Sequence, residues 1–144
     1  MRCPKSLAFA TFPLMSNGMA QPQWNRLLQI AREEVARLLR GIPKELLESA
    51  NSVPVRFESY PVPDNSGDPI DSNTLGIFEG NPLADGEGPF PPEIVLFLEN
   101  IWKAALDDPR DTEAAFRREI RVTYLHELGH YLGLDEDDLL ERGL

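Results

Sequence analysis

Apolar residues between Pro22 and Arg40 recur at spacings of three and four: Trp24, Leu27, Leu28, Ala31, Val35, Leu38 and Leu39, with arginines and glutamates between them. That period puts one apolar stripe on a helix. Gly41 is a natural stop, and Pro43 fits the first turn of a second, short helix ending near Ala50. Both helices read as scaffold. Over Val53 to Tyr60 the period changes to two: Val55, Phe57 and Ser59 alternate with Arg56, Glu58 and Tyr60. This is a strand pattern, and Pro54 restricts it to an edge. Residues 61–75 are polar and turn-rich, hence a loop. Gly76-Ile-Phe-Glu-Gly80 is a short extended piece, followed by a second loop from Asn81 to Pro92. Loops this long in a small domain serve function or move, and these two are expected at a cleft rim. Ile94 to Leu98 is a continuous apolar run, read as a buried strand with a short buried helix as the alternative. Glu99 to Leu106 begins a helix that stops around Asp107-Asp108-Pro109. Asp108 or Asp111 then caps a long helix with an apolar ridge of Phe116, Ile120, Tyr124 and Leu128. Gly133 ends it.

The 144 residues suit one domain with a single core, and 42% apolar with 26% charged content is ordinary for a soluble protein. No apolar run approaches the ~20 residues that span a bilayer, so no membrane association is expected. The net charge of −10 argues against nucleic-acid binding, which needs basic surface to neutralise phosphate. The single cysteine, Cys3, excludes an internal disulfide and a cysteine-based zinc site. It suits a reducing compartment, and a cytoplasmic location is expected. Residues 1–21 read as a disordered or misannotated leader. A weak signal peptide is the alternative: Arg2 and Lys5 precede apolar Leu7 to Met15, with small residues at Gly18-Met19-Ala20, but Thr11 and Pro13 break the stretch. The folded domain is expected over 22–144.

The chemistry gathers at residues 126–136, His-Glu-Leu-Gly-His-Tyr-Leu-Gly-Leu-Asp-Glu, which contain both of the chain's 2 histidines. On a helix, His126 and His130 share one face about 5.4 Å apart and can grip one zinc ion. Glu127 is rotated roughly 100° from His126 and can reach a metal-bound water instead. A catalytic zinc takes three protein ligands and keeps one position open. With no further histidine, the third ligand must be a carboxylate. The helix stops at Gly133, and a residue six after His130 can return under the metal. Glu136 fits the spacing His-Glu-x-x-His-x-x-Gly-x-x-ligand; Asp135 is the runner-up, and Asp137 fits a wider turn. The expected chemistry is peptide-bond hydrolysis by a zinc-activated water, with Glu127 as general base. Tyr60, Tyr124, Tyr131 and the arginines qualify as a second electrophile by type only. Within the acidic run Asp135 to Asp138, Asp137 and Asp138 also read as part of a solvated C-terminal tail.

The segment His126 to Leu139 resembles the small bacterial metallopeptidase-like family called minimal zincins, which place the motif near the C-terminus and carry an acidic third ligand. The likeness covers roughly Gln21 to Leu144. It implies a compact α+β zincin-like fold: a small mixed or antiparallel sheet packed on the motif helix, with two N-terminal helices. It also implies a zinc-dependent peptidase with one catalytic ion. The methionine turn of full metzincins is missing, and the eight residues after Glu136 offer no second cleft wall. Peptides or unfolded segments are therefore the expected substrates, with a partner protein completing the cleft as a further expectation. A zinc-binding interaction module of zincin fold with little or no turnover is the alternative function. A metal-dependent nuclease of the rRNA-maturation type, with a His-x-x-x-His-x-x-Gly-x-x-His pattern, is disfavoured by Glu127 and by the acidic charge.

Overall fold

The computed structural model describes residues 19–62 and 70–144. Most of the leader read over 1–21 lies outside those residues. Met19 does not: it is buried in the core, just ahead of helix α1 (Gln21–Gly41). Pro22 sits in the first turn of α1, where a missing N–H costs nothing. The apolar stripe of α1 turns Trp24, Leu27, Ile30, Ala31 and Val35 inward. Helix α2 (Lys44–Asn51) follows directly behind Pro43.

Strands β1 (Val55–Glu58), β2 (Gly76–Glu79) and β3 (Glu93–Phe97) form one sheet in the order β1-β3-β2. β1 runs parallel to β3, and β2 runs antiparallel to it. The order follows from the side chains. β3 carries the unbroken apolar run and is buried on both faces, as a central strand must be. β1 alternates half-buried Val55 and Phe57 with exposed Arg56 and Glu58, and the preceding Pro54 suits an edge. Arg56 pairs with Glu93 across the strands. β2 forms the other edge. A 3-10 turn, Leu83–Asp85, lies in the loop between β2 and β3.

Leu98, read from sequence as the end of the strand, instead opens helix α3 (Leu98–Ala105). The sheet bonds run one step further, Phe97 N–H donating to the Leu75 carbonyl and Glu99 N–H to that of Ser59, before the chain turns into the helix. The Asn100 amide then holds the Ser72 and Thr74 carbonyls, fixing the end of the loop before β2.

Helix α4 (Thr112–Leu132) is the axis of the molecule. Of its two candidate caps, Asp111 accepts from Ala114 N–H at 3.0 Å, while Asp108 pairs with Arg118. The ridge Phe116, Ile120, Tyr124 and Leu128 is fully buried. Each such side chain contributes about 1.5–3 kcal/mol over leaving it exposed. Trp102 meets Phe116 edge-on at 5.5 Å, locking α3 to α4. α1 is tied to α4 through buried Glu34, which pairs with Arg117 and Arg121. The acidic run is helical instead of a loose tail: Glu136–Glu141 form helix α5 and Leu139 is buried, while Asp137 is solvent-exposed as that reading expected. The architecture is the expected α+β one, a small mixed sheet and helices packed on α4. Among the described residues, no helix is long and apolar enough to cross a membrane.

Candidate metal centre

The last two turns of α4 bring His126 and His130 together on its open face. Their rings stand perpendicular, with centroids 4.7 Å apart, and the two Nε2 atoms face each other at 3.1 Å. Glu127, the next residue after His126, is buried beside them. One ligand atom from each of the three residues lies within 4.8 Å of the others. Tetrahedral zinc with Zn–N near 2.0–2.1 Å holds two ring nitrogens about 3.3 Å apart. The histidine pair is therefore preset for one such ion. Nitrogen and carboxylate donors are also the types zinc accepts. Burial pushes the Glu127 carboxyl up from its ordinary range. Nearby His130 and His126 and a hydrogen bond from the Phe78 backbone N–H pull partly against it.

Beyond the histidines the chain reverses. Gly133 adopts φ 71°, a left-handed conformation that costs glycine little, and Leu134 N–H reaches back to the Gly129 carbonyl at 2.9 Å. A Cβ on Gly129 would lie 2.7 Å from the Leu134 carbonyl oxygen. Only a glycine there lets the returning strand lie so close to the helix.

The reversal delivers the acidic residues to the histidines. Asp135 caps α5: its carboxylate accepts from Asp138 N–H at 2.8 Å, and Asp138 returns the bond to Asp135 N–H. Glu136 reaches the other edge of the first histidine ring, with Oε1 3.3 Å from His126 Nδ1. It thus meets Nδ1, not the Nε2 edge that faces His130. Its side chain is 79% exposed. Asp135, Glu136 and both histidines line one cavity of about 400 Å³. Asp137 is solvent-exposed and does not line it.

Tyr124, one of the tyrosines eligible by type, has a fully buried hydroxyl without a hydrogen-bond partner, and burial pushes its pKa up to about 12. It cannot reach a ligand. The Tyr131 hydroxyl lies 3.4 Å from Ser52 Oγ.

The family model of zincin-like metallopeptidases matches residues 50–144, well over half of the chain. The chain belongs to the zincin-like metallopeptidase family. No curated protein matches it. Zinc is the metal this membership implies. The matched part contains the sheet, the motif helix and α5, while α1 lies ahead of it.

Two residues of this zincin-like metallopeptidase escaped the sequence reading. Phe78 was read only as part of an extended piece, yet its backbone N–H anchors Glu127 and its ring meets Tyr131 at 5.7 Å. No sequence pattern signals that contact. Gly129 did carry a signal, a glycine inside a strongly helical stretch, which points to close backbone approach. The loop at 81–92, expected at a cleft rim, does line the cavities beside the motif helix. Part of the other loop lies outside the described residues.

Proposed function

We propose that the protein is a zinc-dependent peptidase, with His126 and His130 as metal ligands and Glu127 as general base. The observation that carries this reading is the 3.1 Å approach of the two imidazole Nε2 atoms beside a buried carboxylate. Zinc held there would acidify a coordinated water toward a pKa of ~7 and polarise a carbonyl. The chain's own residues would do the rest. Glu127, buried and steadied by Phe78 N–H, would accept the water's proton and hand it to the leaving amine. Its raised affinity for a proton suits a group that must hold one between two steps. Edge strand β2, beside Glu127 and His130, offers an extended peptide a backbone to pair with.

Glu136 is the favoured third ligand and Asp135 the runner-up. Glu136 is exposed and uncommitted apart from His126, whereas the Asp135 carboxylate holds the α5 cap. If Glu136 keeps its contact with Nδ1, it would orient the ring from outside the metal shell instead.

Zinc titration by calorimetry, with cleavage of a peptide library by wild type and Glu127→Ala, tests the reading. Stoichiometric zinc in both proteins and cleavage by wild type alone is expected. Zinc without cleavage in either would favour the interaction-module alternative, and no zinc in either sinks the proposal. Glu136→Ala should weaken zinc at least tenfold and more than Asp135→Ala.

A further inference from the structure

The loop after β2 is held in shape. Gly80, at φ 105°, lets its start touch its end: a Cβ there would lie 2.8 Å from Pro92 Cα and 2.9 Å from the Pro91 carbonyl oxygen. Gly88 lies against the Asn81 side chain in the same way. A loop closed on itself like this is a wall with a fixed contour. It nevertheless exposes two large apolar side chains, Leu83 at 46% and Phe90 at 71%. Both line a cavity of about 480 Å³ together with Pro91 and Tyr131. Tyr131 stands one helical turn past Glu127, on the same side of α4. Pro82 of the same loop lines the neighbouring cavity that holds Glu127 and His130. The apolar cavity thus adjoins the general base.

The charge around it has one sign. Leaving aside Glu127 and the acidic residues of the metal centre, Glu79, Glu87 and Glu93 line the cavities beside the last turns of α4 and the β2 edge, and no lysine or arginine lines them. Glu93 pairs with Arg56, and among the described residues no lysine or arginine pairs with Glu79 or Glu87. Such a one-signed cleft concentrates ligands of opposite charge.

We infer that the substrate is a cationic peptide that seats a large apolar side chain between Leu83 and Phe90, over Tyr131. This rests on the peptidase reading, which supplies the cleft with a substrate; the apolar wall and the carboxylate rim supply its class. The apolar residue would anchor the chain in the cavity. Lysine or arginine around it would meet the carboxylates.

Binding of a randomised peptide library to zinc-loaded, full-length Glu127→Ala tests this without turnover. Enrichment of leucine, phenylalanine or methionine flanked by lysine or arginine is expected. Affinity for an enriched peptide should fall several-fold between roughly 50 and 300 mM salt. Phe90→Ser should weaken that peptide about tenfold while zinc stoichiometry and the melting curve hold, since the ring is exposed. Indifference to the apolar residue, preference for acidic peptides, unchanged affinity in Phe90→Ser, or no enriched peptide would each overturn the inference. The two readings fail separately. Wild type that cleaves peptides without regard to these features keeps the peptidase and loses the specificity. Wild type that cleaves nothing, while Phe90-dependent binding persists, does the reverse.

Discussion

Glu34 and Glu127 are both buried carboxylates packed at helix α4, and they are compensated in different ways. Glu34 is fully enclosed between α1 and α4, and three guanidiniums converge on it: Arg37 at 3.3 Å, Arg117 at 3.4 Å and Arg121 at 3.3 Å. Glu127 has one backbone N–H and two imidazoles, and among the described residues no lysine or arginine pairs with it. The first arrangement fixes an anion in place and offers it nothing to react with. The second leaves a carboxylate that burial biases toward its protonated form. Helix α4 thus packs its first half against a structural acid, Glu34 of α1, and carries a far less compensated carboxylate, Glu127, toward its end. What separates them is the surrounding cations.

The largest effect expected from this contrast is in stability. Glu34→Gln leaves three guanidiniums around a neutral amide and should cost about 2 kcal/mol, at the low side for a buried pair because the arginines are partly exposed. That lowers the melting temperature by roughly 6 °C for a chain of this size. Glu127→Gln should leave the melting temperature unchanged or raise it. Equal losses in the two variants, read by calorimetric melting, would break the comparison.

A smaller effect is expected at the reversal after the histidines. Gly129→Ala pushes Leu134 away from the helix and should cost about 1–2 kcal/mol. Because Asp135 and Glu136 follow directly, zinc affinity should fall about tenfold as well. A titration showing wild-type affinity in this variant would mean that the returning segment does not help hold the ion.

The smallest effect concerns a third enclosed carboxylate. Glu99 is buried, and one of its oxygens has no hydrogen-bond partner. Burial pushes its pKa up, against a hydrogen bond from Ser59 and the charge of Lys103. A carboxyl whose folded pKa is raised destabilises the fold once pH exceeds its unfolded value, because ionisation is easier in the unfolded chain. Glu99→Gln should therefore raise the melting temperature by a degree or two at pH 7, with the gain vanishing near pH 4. A gain that persists at pH 4 would point to packing instead.

Much of this was legible in the sequence wherever a rigid period governs the outcome. The i, i+4 spacing of His126 and His130 brings the imidazoles together on any α-helix, and the ridge from Phe116 to Leu128 fixes which face is buried. The unbroken apolar run identified β3, and Pro54 marked β1 as an edge. Legibility fails where one or two dihedral angles decide. After Gly133 the chain direction depends on a single left-handed residue and a capping box, so the acidic run became a helix instead of a tail. Leu98 opens a helix although it is as apolar as the strand before it, and hydrophobicity alone does not separate a buried strand from a buried helix. The hold of Phe78 on Glu127 is a backbone contact that leaves no mark on the side-chain pattern.

The loop that carries Leu83 and Phe90 is closed by its own Gly80–Pro92 and Asn81–Gly88 contacts, while the histidines and carboxylates arise from one continuous segment, 126–136. The two are separate modules. On the proposed reading, inverting the charge of residues 81–91 should leave zinc affinity unchanged while altering which peptides bind. If both proposals hold, selectivity would drift under mutation of the loop while the groups at 126–136 stay where they are.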